Sequence, residues 1–293
     1  MKTRTFNSLT LIAFALTMMA FAVSSCSTRE KGKNIGLQLY SIRDSIKKDV
    51  PGSIRKVAGM GYRFVEPAGY AGGKFYNLSP EEFKALCLKN GMNVLSSHTG
   101  RPAPAPEDWD AAMAWWDTCI AAHLAVGAKY IVQPSMGRDA YESLEGIKRY
   151  CDYFNAVGEK CNKAGIRFGY HNHSREFTTI FDSTVVLYDF MLQNTDPEKV
   201  FFQLDLYWCV EGGADPVDYF AKYPGRFELW HIKDEAELGA SGKMDFEKIW
   251  KSAGVSGMKY GIVEVEKYNY DQFTSCRMSL EFLNNAGYVV MPL

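Results

Sequence analysis

Eight times after residue 33, a short apolar run is followed by a polar loop and then an amphipathic stretch. The apolar runs are "NIGLQLY" (34–40), "YRFVE" (62–66), "MNVLSSH" (92–98), "AKYIVQP" (128–134), "IRFGYH" (166–171), "VFFQLD" (200–205), "RFELWHI" (226–232) and "KYGIVEVE" (259–266). The stretches between them carry helix punctuation. "DVPGSIRKVAGMG" has Pro51 near its start and Gly61 after its end, and "SPEEFKALCLKNG" repeats the arrangement with Ser79, Pro80 and Gly91. The endings "MGY", "NGM", "VGA", "AGI", "AGV" and "AGY" each offer a glycine for a left-handed helix stop. Such alternation demands parallel strands joined by right-handed crossovers. Two architectures satisfy it, a closed (β/α)8 barrel and an open doubly wound sheet. No GxGxxG follows the first run, and eight units in roughly 260 residues is the usual size of the barrel. The α/β class and a single TIM barrel over residues 34–293 are the expectation.

The first residues read differently. "MKTRTFNSLTLIAFALTMMAFAVSSC" has Lys2 and Arg4, then an apolar run from about Leu9 to Val23, then small residues. That is the layout of a secretory signal, with an apolar run shorter than the roughly 20 residues of a membrane-spanning helix. "VSSC" resembles a bacterial lipobox. The expectation is a signal peptide at 1–25, a lipidated Cys26, a tether over 26–33 and a periplasmic location, with the lipid anchor as the membrane contact. A formal net charge of −1 leaves no electrostatic footprint for nucleic acid. The remaining cysteines form no CxxC and fall on apolar helix faces, which predicts buried free thiols rather than a thiolate metal site.

Barrel enzymes place their chemistry at the C-terminal ends of the strands. The run ends supply Gln38 and Tyr40, Glu66, His98, Gln133, His171 and His173, Asp205, His231, and Glu264 with Glu266. Four of the five histidines stand there; His123 is mid-helix and reads as structural. A barrel core wants branched apolar residues, and buried carboxylates are costly unless paired or metal-bound. The pattern therefore points to one divalent cation, with His171, Asp205, His231 and Glu264 as ligands. Mixed imidazole and carboxylate donors do not choose among Mn, Co, Zn, Ni, Fe and Mg. Such an ion polarises a carbonyl or hydroxyl oxygen and stabilises an enediolate, while a nearby carboxylate takes the proton α to the carbonyl. Glu176 is a candidate for catalysis or substrate contact. Gln38, Tyr40, Glu66, His98, Gln133, His173 and Lys233 are candidate substrate groups. Trp208 and Trp230, near the rim, would suit sugar stacking. "GASGK" (239–243) lacks the spacing of a phosphate loop and reads as a cover over the site, with Lys243 reaching substrate.

Taken in order, "IGLQLYSIRD", "YRFVE", "YHNHSREF", "FQLDLYW", "LWHIKD", "GKMDFEKIW" and "IVEVE" resemble the sugar isomerase/epimerase superfamily with the xylose-isomerase-like barrel. The resemblance implies a metal held by a glutamate, an aspartate, a histidine and a second glutamate. Asp205, His231 and Glu264 match the last three, and Glu264 is then an acid–base residue. Many relatives have "ENH" where this chain has "HNH", so His171 replaces the first glutamate as ligand or base. Glu176 offers a substitute carboxylate. The "YHNH" form also resembles inosose dehydratases, which share α-proton abstraction but go on to lose water. Three readings stay open: an isomerase or epimerase of a neutral keto-sugar or glycoside, a lyase or dehydratase with the same first step, and a non-catalytic sugar-binding lipoprotein. Relatives of this kind are often dimers or tetramers, which makes a homo-oligomer an open expectation.

Overall fold

The computed structural model describes residues 33–292; the expected signal and Cys26 lie outside the described residues. The eight barrel strands are β1 (Ile35–Gln38), β2 (Phe64–Glu66), β3 (Asn93–Val94), β4 (Tyr130–Gln133), β5 (Arg167–His171), β6 (Val200–Asp205), β7 (Leu229–Ile232) and β8 (Tyr260–Val263). Each falls within one of the eight apolar runs. Every neighbouring pair is parallel, in the spatial order β3-β2-β1-β8-β7-β6-β5-β4. The barrel closes between β3 and β4: Lys129 N–H donates to Leu95 O at 2.8 Å, Val132 N–H to Ser97 O at 2.9 Å, and Thr99 N–H to Val132 O at 2.9 Å.

The outer layer comprises α1 (Val50–Met60), α2 (Pro80–Lys89), α3 (Trp109–Val126), α4 (Leu144–Ala164), α5 (Leu187–Asn194), α6 (Pro216–Lys222), α7 (Phe246–Lys251) and α8 (Gln272–Asn285), with shorter turns between. The local reasons are readable. In α4, Ser143 caps the Gly146 N–H, and Ile147, Tyr150, Cys151, Phe154, Val157 and Cys161 form one buried face. In α2, Ser79 and Glu82 form a reciprocal capping box. Gly61, Gly91, Gly127 and Gly165 take the left-handed stop, as expected. Gly254 and Gly287 do not. Gly254 lies inside a short helix that Gly257 ends at φ +81°, and α8 ends at Ala286 in extended backbone. Six free cysteines are buried among the described residues.

Three features depart from the sequence reading, one of them a two-stranded antiparallel ribbon of Ile180–Phe181 with Val185–Val186. β3 is shorter than 92–98, its tail continuing irregularly to an isolated bridge between His98 and Val132. A small antiparallel ribbon, Tyr70–Ala71 with Lys74–Phe75, follows β2 and packs on α2 and α3.

Side chains alternate along the strands, so inward positions repeat every second residue. Towards the N-terminal end the interior is filled by Phe64, Leu95, Tyr130, Val132, Phe201, Leu229 and Ile262. Glycines make the room. A Cβ on Gly36 would stand 2.1 Å from the Phe64 ring, and one on Gly169 2.6 Å from the Phe201 ring.

Candidate active site and metal centre

Parallel register decides which polar ends meet. Asp205 pairs with His231 across β6 and β7, and His171 with Gln203 across β5 and β6. Glu264 continues β8, its N–H donating to Ile232 O at 3.2 Å. One ligand atom from each of His171, Asp205, His231 and Glu264 consequently lies within 4.8 Å of the other three. All four residues are buried. Among the described residues, His171 Nδ1 and Asp205 Oδ2 have no hydrogen-bond partner. Orphaned buried polar atoms are uncommon and costly, and imidazole with carboxylate is a donor set that divalent first-row ions accept. The residues present therefore fit such an ion.

Glu66 organises the groups beside this cluster. Its Oε1 accepts from Gln38 Nε2 at 2.8 Å and from His231 Nε2 at 2.6 Å, and its Oε2 accepts from Gln203 Nε2 at 2.9 Å. His98 Nε2 lies 2.7 Å from Gln203 Oε1 and 3.2 Å from Glu66 Oε1. An amide oxygen only accepts, so His98 carries its proton on Nε2. Burial would raise Glu66, but His98 and His231 bring it down to about 2. Burial opposes charge on His231 too, yet Glu66 and Glu264 raise it to about 10. Its Nδ1 lies 3.3 Å from Glu264 Oε2. Without an ion, His231 is thus an imidazolium clamped between two carboxylates.

Lys233, a candidate substrate group, stands beside the cluster and is 2% exposed. Its Nζ lies 3.1 Å from Glu264, 3.0 Å from Glu266 and 3.9 Å from Asp205, and it faces the Trp208 ring at 4.9 Å. Burial works against its charge, and the three carboxylates outweigh that. Burial raises the Asp205 carboxyl, with Lys233 opposing and Glu264 adding to the rise. Burial would also raise Glu264, but Lys233 and His231 hold it well below the usual carboxylate range. Burial and three neighbouring imidazoles keep His171 neutral, and burial lowers His98 and His173. A cavity of about 340 Å³ opens over these groups, lined by Tyr40, His98, His171, His173, Glu264 and Glu266 among others.

Three expected site residues are not brought to the cluster. Glu176 is fully buried, with Tyr141 and Tyr170 hydroxyls donating to its Oε1 at 2.9 and 2.5 Å and the His173 N–H to its Oε2 at 2.9 Å. These contacts hold the turn after β5, and Glu176 does not line the cavity. Tyr40 stands at the cavity edge, 46% exposed, beneath the Arg43 guanidinium. Gln133 shares strand parity with Ile131 and faces outward, into a side hollow. Trp230 is not at the rim either; it is buried on Phe220 in the outer core. Lys243 pairs on the surface with Glu235 and Glu211.

Two residues escaped the sequence reading. Gln203 links Glu66 to His98; it stands two residues before Asp205, and strand periodicity alone could have found it. Asn172 Oδ1 accepts the Asp205 N–H at 3.0 Å and its Nδ2 donates to Asp205 O at 3.3 Å, which fixes the backbone at Asp205. Nothing in the sequence signals that second clamp.

Comparison with known proteins agrees with this architecture. The sequence profile described as the xylose isomerase-like TIM barrel matches residues 54–286. A sugar phosphate isomerase/epimerase from Parabacteroides distasonis is 35% identical, with a TM-score of 0.82, over 88% of this chain and all of that one. A 3-keto-D-glucoside 4-epimerase from E. coli shares the fold at 18% identity and a TM-score of 0.68, over 86% of this chain and 99% of that one. Inosose dehydratase from Lacticaseibacillus casei is 25% identical over 180 residues, which is 49% of this chain and 59% of the relative's length. With the closed parallel barrel, the matched profile and the near-complete overlap with the 35%-identical structure, this chain belongs to the xylose isomerase-like TIM barrel family.

Proposed function

We propose that the chain is a metal-dependent enzyme that removes the proton α to a carbonyl of a neutral keto-sugar or keto-glycoside. The observation that carries this reading is the convergence of His171, Asp205, His231 and Glu264 on one buried point, with an orphaned atom on two of them. These four would hold the ion. A divalent cation there supplies Lewis-acid polarisation of a substrate carbonyl or hydroxyl oxygen. The protein's own groups do the rest. Glu66, Gln38 and Gln203 orient His231, and Asn172 orients Asp205. Lys233 offsets the negative charge of three carboxylates.

Glu264 is one of the four groups that would hold the ion, and its carboxylate also faces Lys233 and His231. His173 is better placed. It lines the cavity, is kept neutral, and its ring nitrogens make no hydrogen bond among the described residues. We assign it the proton. Protonating the former carbonyl carbon of the enediol gives the aldose–ketose isomer, and protonating the original carbon from its opposite face gives the epimer. Losing a β-hydroxyl as water gives a dehydratase, the second reading, which the match to inosose dehydratase favours.

The test is deuterium uptake from solvent by a panel of keto-sugars and keto-glycosides, with metal content measured beside it. Exchange without elimination supports isomerase or epimerase chemistry, and elimination supports the dehydratase. An absence of bound metal after incubation with Mn, Co, Zn, Ni, Fe and Mg salts would sink the mechanism. His173→Phe should abolish exchange and leave metal content unchanged. Export and lipid anchoring are a separate proposal, resting on the first 26 residues alone. Its test is whether Cys26→Ser moves the protein out of the membrane fraction.

A further inference from the structure

The mouth holds a second hollow of about 250 Å³, which shares His98, Pro134 and Ser135 with the main cavity. Tyr70 and Trp115 form an aromatic wall, with ring centroids 6.2 Å apart and edge to face. The Arg101 guanidinium lies over Trp115 at 5.6 Å, and among the described residues no carboxylate lines the hollow. Gln133 completes it. Gln133 Nε2 donates to the carbonyls of Arg101 and Ser135 at 3.0 and 2.9 Å. Those two bonds fix which end of the amide is which. Gln133 Oε1 is therefore an acceptor, buried and without a donor. Gly100 leaves the space for it, since a Cβ there would stand 2.6 Å from Oε1. The mechanism proposed above uses neither Gln133, Arg101 nor Trp115.

We infer that this hollow is a subsite for a second, non-reacting ring of the substrate: a neutral sugar joined to the keto-sugar in the main cavity. The inference rests on the reading of that main cavity as a carbohydrate site. A pyranose ring has apolar C–H faces that pack on aromatic side chains, and hydroxyls that both donate and accept. One ring face would pack on Tyr70 and Trp115, and a ring hydroxyl would accept from Arg101. A phosphate or carboxylate would accept from Arg101 but leave the aromatic wall unfilled. Contacts made by the remote ring also serve the chemistry, because binding energy away from the reacting carbon can be used to position it.

The test measures binding of the full-length protein to D-glucose, glucose 6-phosphate, cellobiose, gentiobiose, maltose and trehalose by calorimetry. At least one disaccharide should bind about tenfold more tightly than glucose. Trp115→Ala and Arg101→Met should each remove that advantage while leaving glucose affinity within about twofold. Arg101→Met guards against a folding defect in the tryptophan variant. No advantage for any disaccharide overturns the subsite. So does an equal loss for glucose and disaccharide in both variants, or glucose 6-phosphate binding tighter than every neutral probe. Deuterium exchange into a keto-monosaccharide separates the two readings. Exchange without a disaccharide advantage removes the subsite alone; a disaccharide advantage without exchange removes the chemistry alone.

Discussion

Phe64, Phe201, Leu229 and Ile262 fill one end of the barrel interior. Two residues further along the same four strands stand Glu66, Gln203, His231 and Glu264, all buried. A single step of the pleat thus separates an apolar floor from a polar mouth. The floor is close-packed, with Tyr130 and Phe201 edge to face at 5.2 Å and Phe64 and Tyr260 edge to face at 5.7 Å. It gains free energy by burial. The mouth buries charges, which is unfavourable unless each is paired or coordinated. Such a layer costs free energy that the floor does not, and the floor keeps the layer in place. His123 sharpens the contrast. It too is fully buried, but it faces Tyr70, Phe75 and Cys119 rather than carboxylates, and burial lowers it to about 4. Burial alone keeps an imidazole neutral; the convergence at the mouth is what charges His231.

The strongest way to break the comparison is at a mouth ligand. Asp205→Asn removes the charge but keeps an acceptor for the Trp208 N–H, now at 2.8 Å. Elemental analysis should then find bound metal falling from about one ion per chain to none, and exchange dropping at least about 100-fold. The metal-free protein should melt no lower than wild type, because burial already opposes that charge. A clear fall in stability would make Asp205 a structural residue like those of the floor.

Next comes the floor itself. Phe201→Ala should cost about 3–5 kcal/mol in urea unfolding. Metal content and exchange rate per folded molecule should stay as they were. Loss of metal from this variant would show that the two layers are not separable.

A pH series on metal-free protein gives a smaller effect. Glu66 sits at about 2 against an ordinary 4.5, so its contribution is present above about 4.5 and is lost as pH falls towards 2. His231 sits at about 10 against 6.5, so its contribution is complete below about 6.5 and is lost as pH rises towards 10. The stability difference between wild type and Glu66→Gln should therefore be greatest between those two ordinary values and shrink on both sides. A flat difference would mean that the Glu66–His231 contact is not the ion pair described. The smallest change is expected at Glu176→Gln, about 1 kcal/mol of stability with exchange nearly unaltered. An effect on exchange larger than that on stability would return Glu176 to the chemistry.

The strands were legible because each is a short apolar run with clear stops, and the outer helices because of start and stop signals such as Ser79 with Pro80, and Gly61. The ribbon at Tyr70–Phe75 was not, since two-residue strands carry no period to read. At the site, Asp205, His231 and Glu264 announce themselves as titratable residues ending buried runs. Gln203 does not, because it is uncharged and stands inside its run, two residues before Asp205. Glu176 misled for the opposite reason. It follows the pair His171 and His173 closely, yet a short helix at Arg175–Thr178 turns it under two tyrosine hydroxyls.

By itself the sequence determined the alternation, the parallel barrel and the rim on which polar residues gather. Those follow from local periodicity and handedness, which act over a few residues. Only the tertiary structure decided which rim residues meet. The register between β5, β6 and β7, the clamp of Asn172 on Asp205, the burial of Lys233 and the outward turn of Gln133 all depend on side chains from distant parts of the chain. Their pKa values depend on the same neighbours. Electrostatic interaction is set by distance in space, and separation along the chain does not determine it.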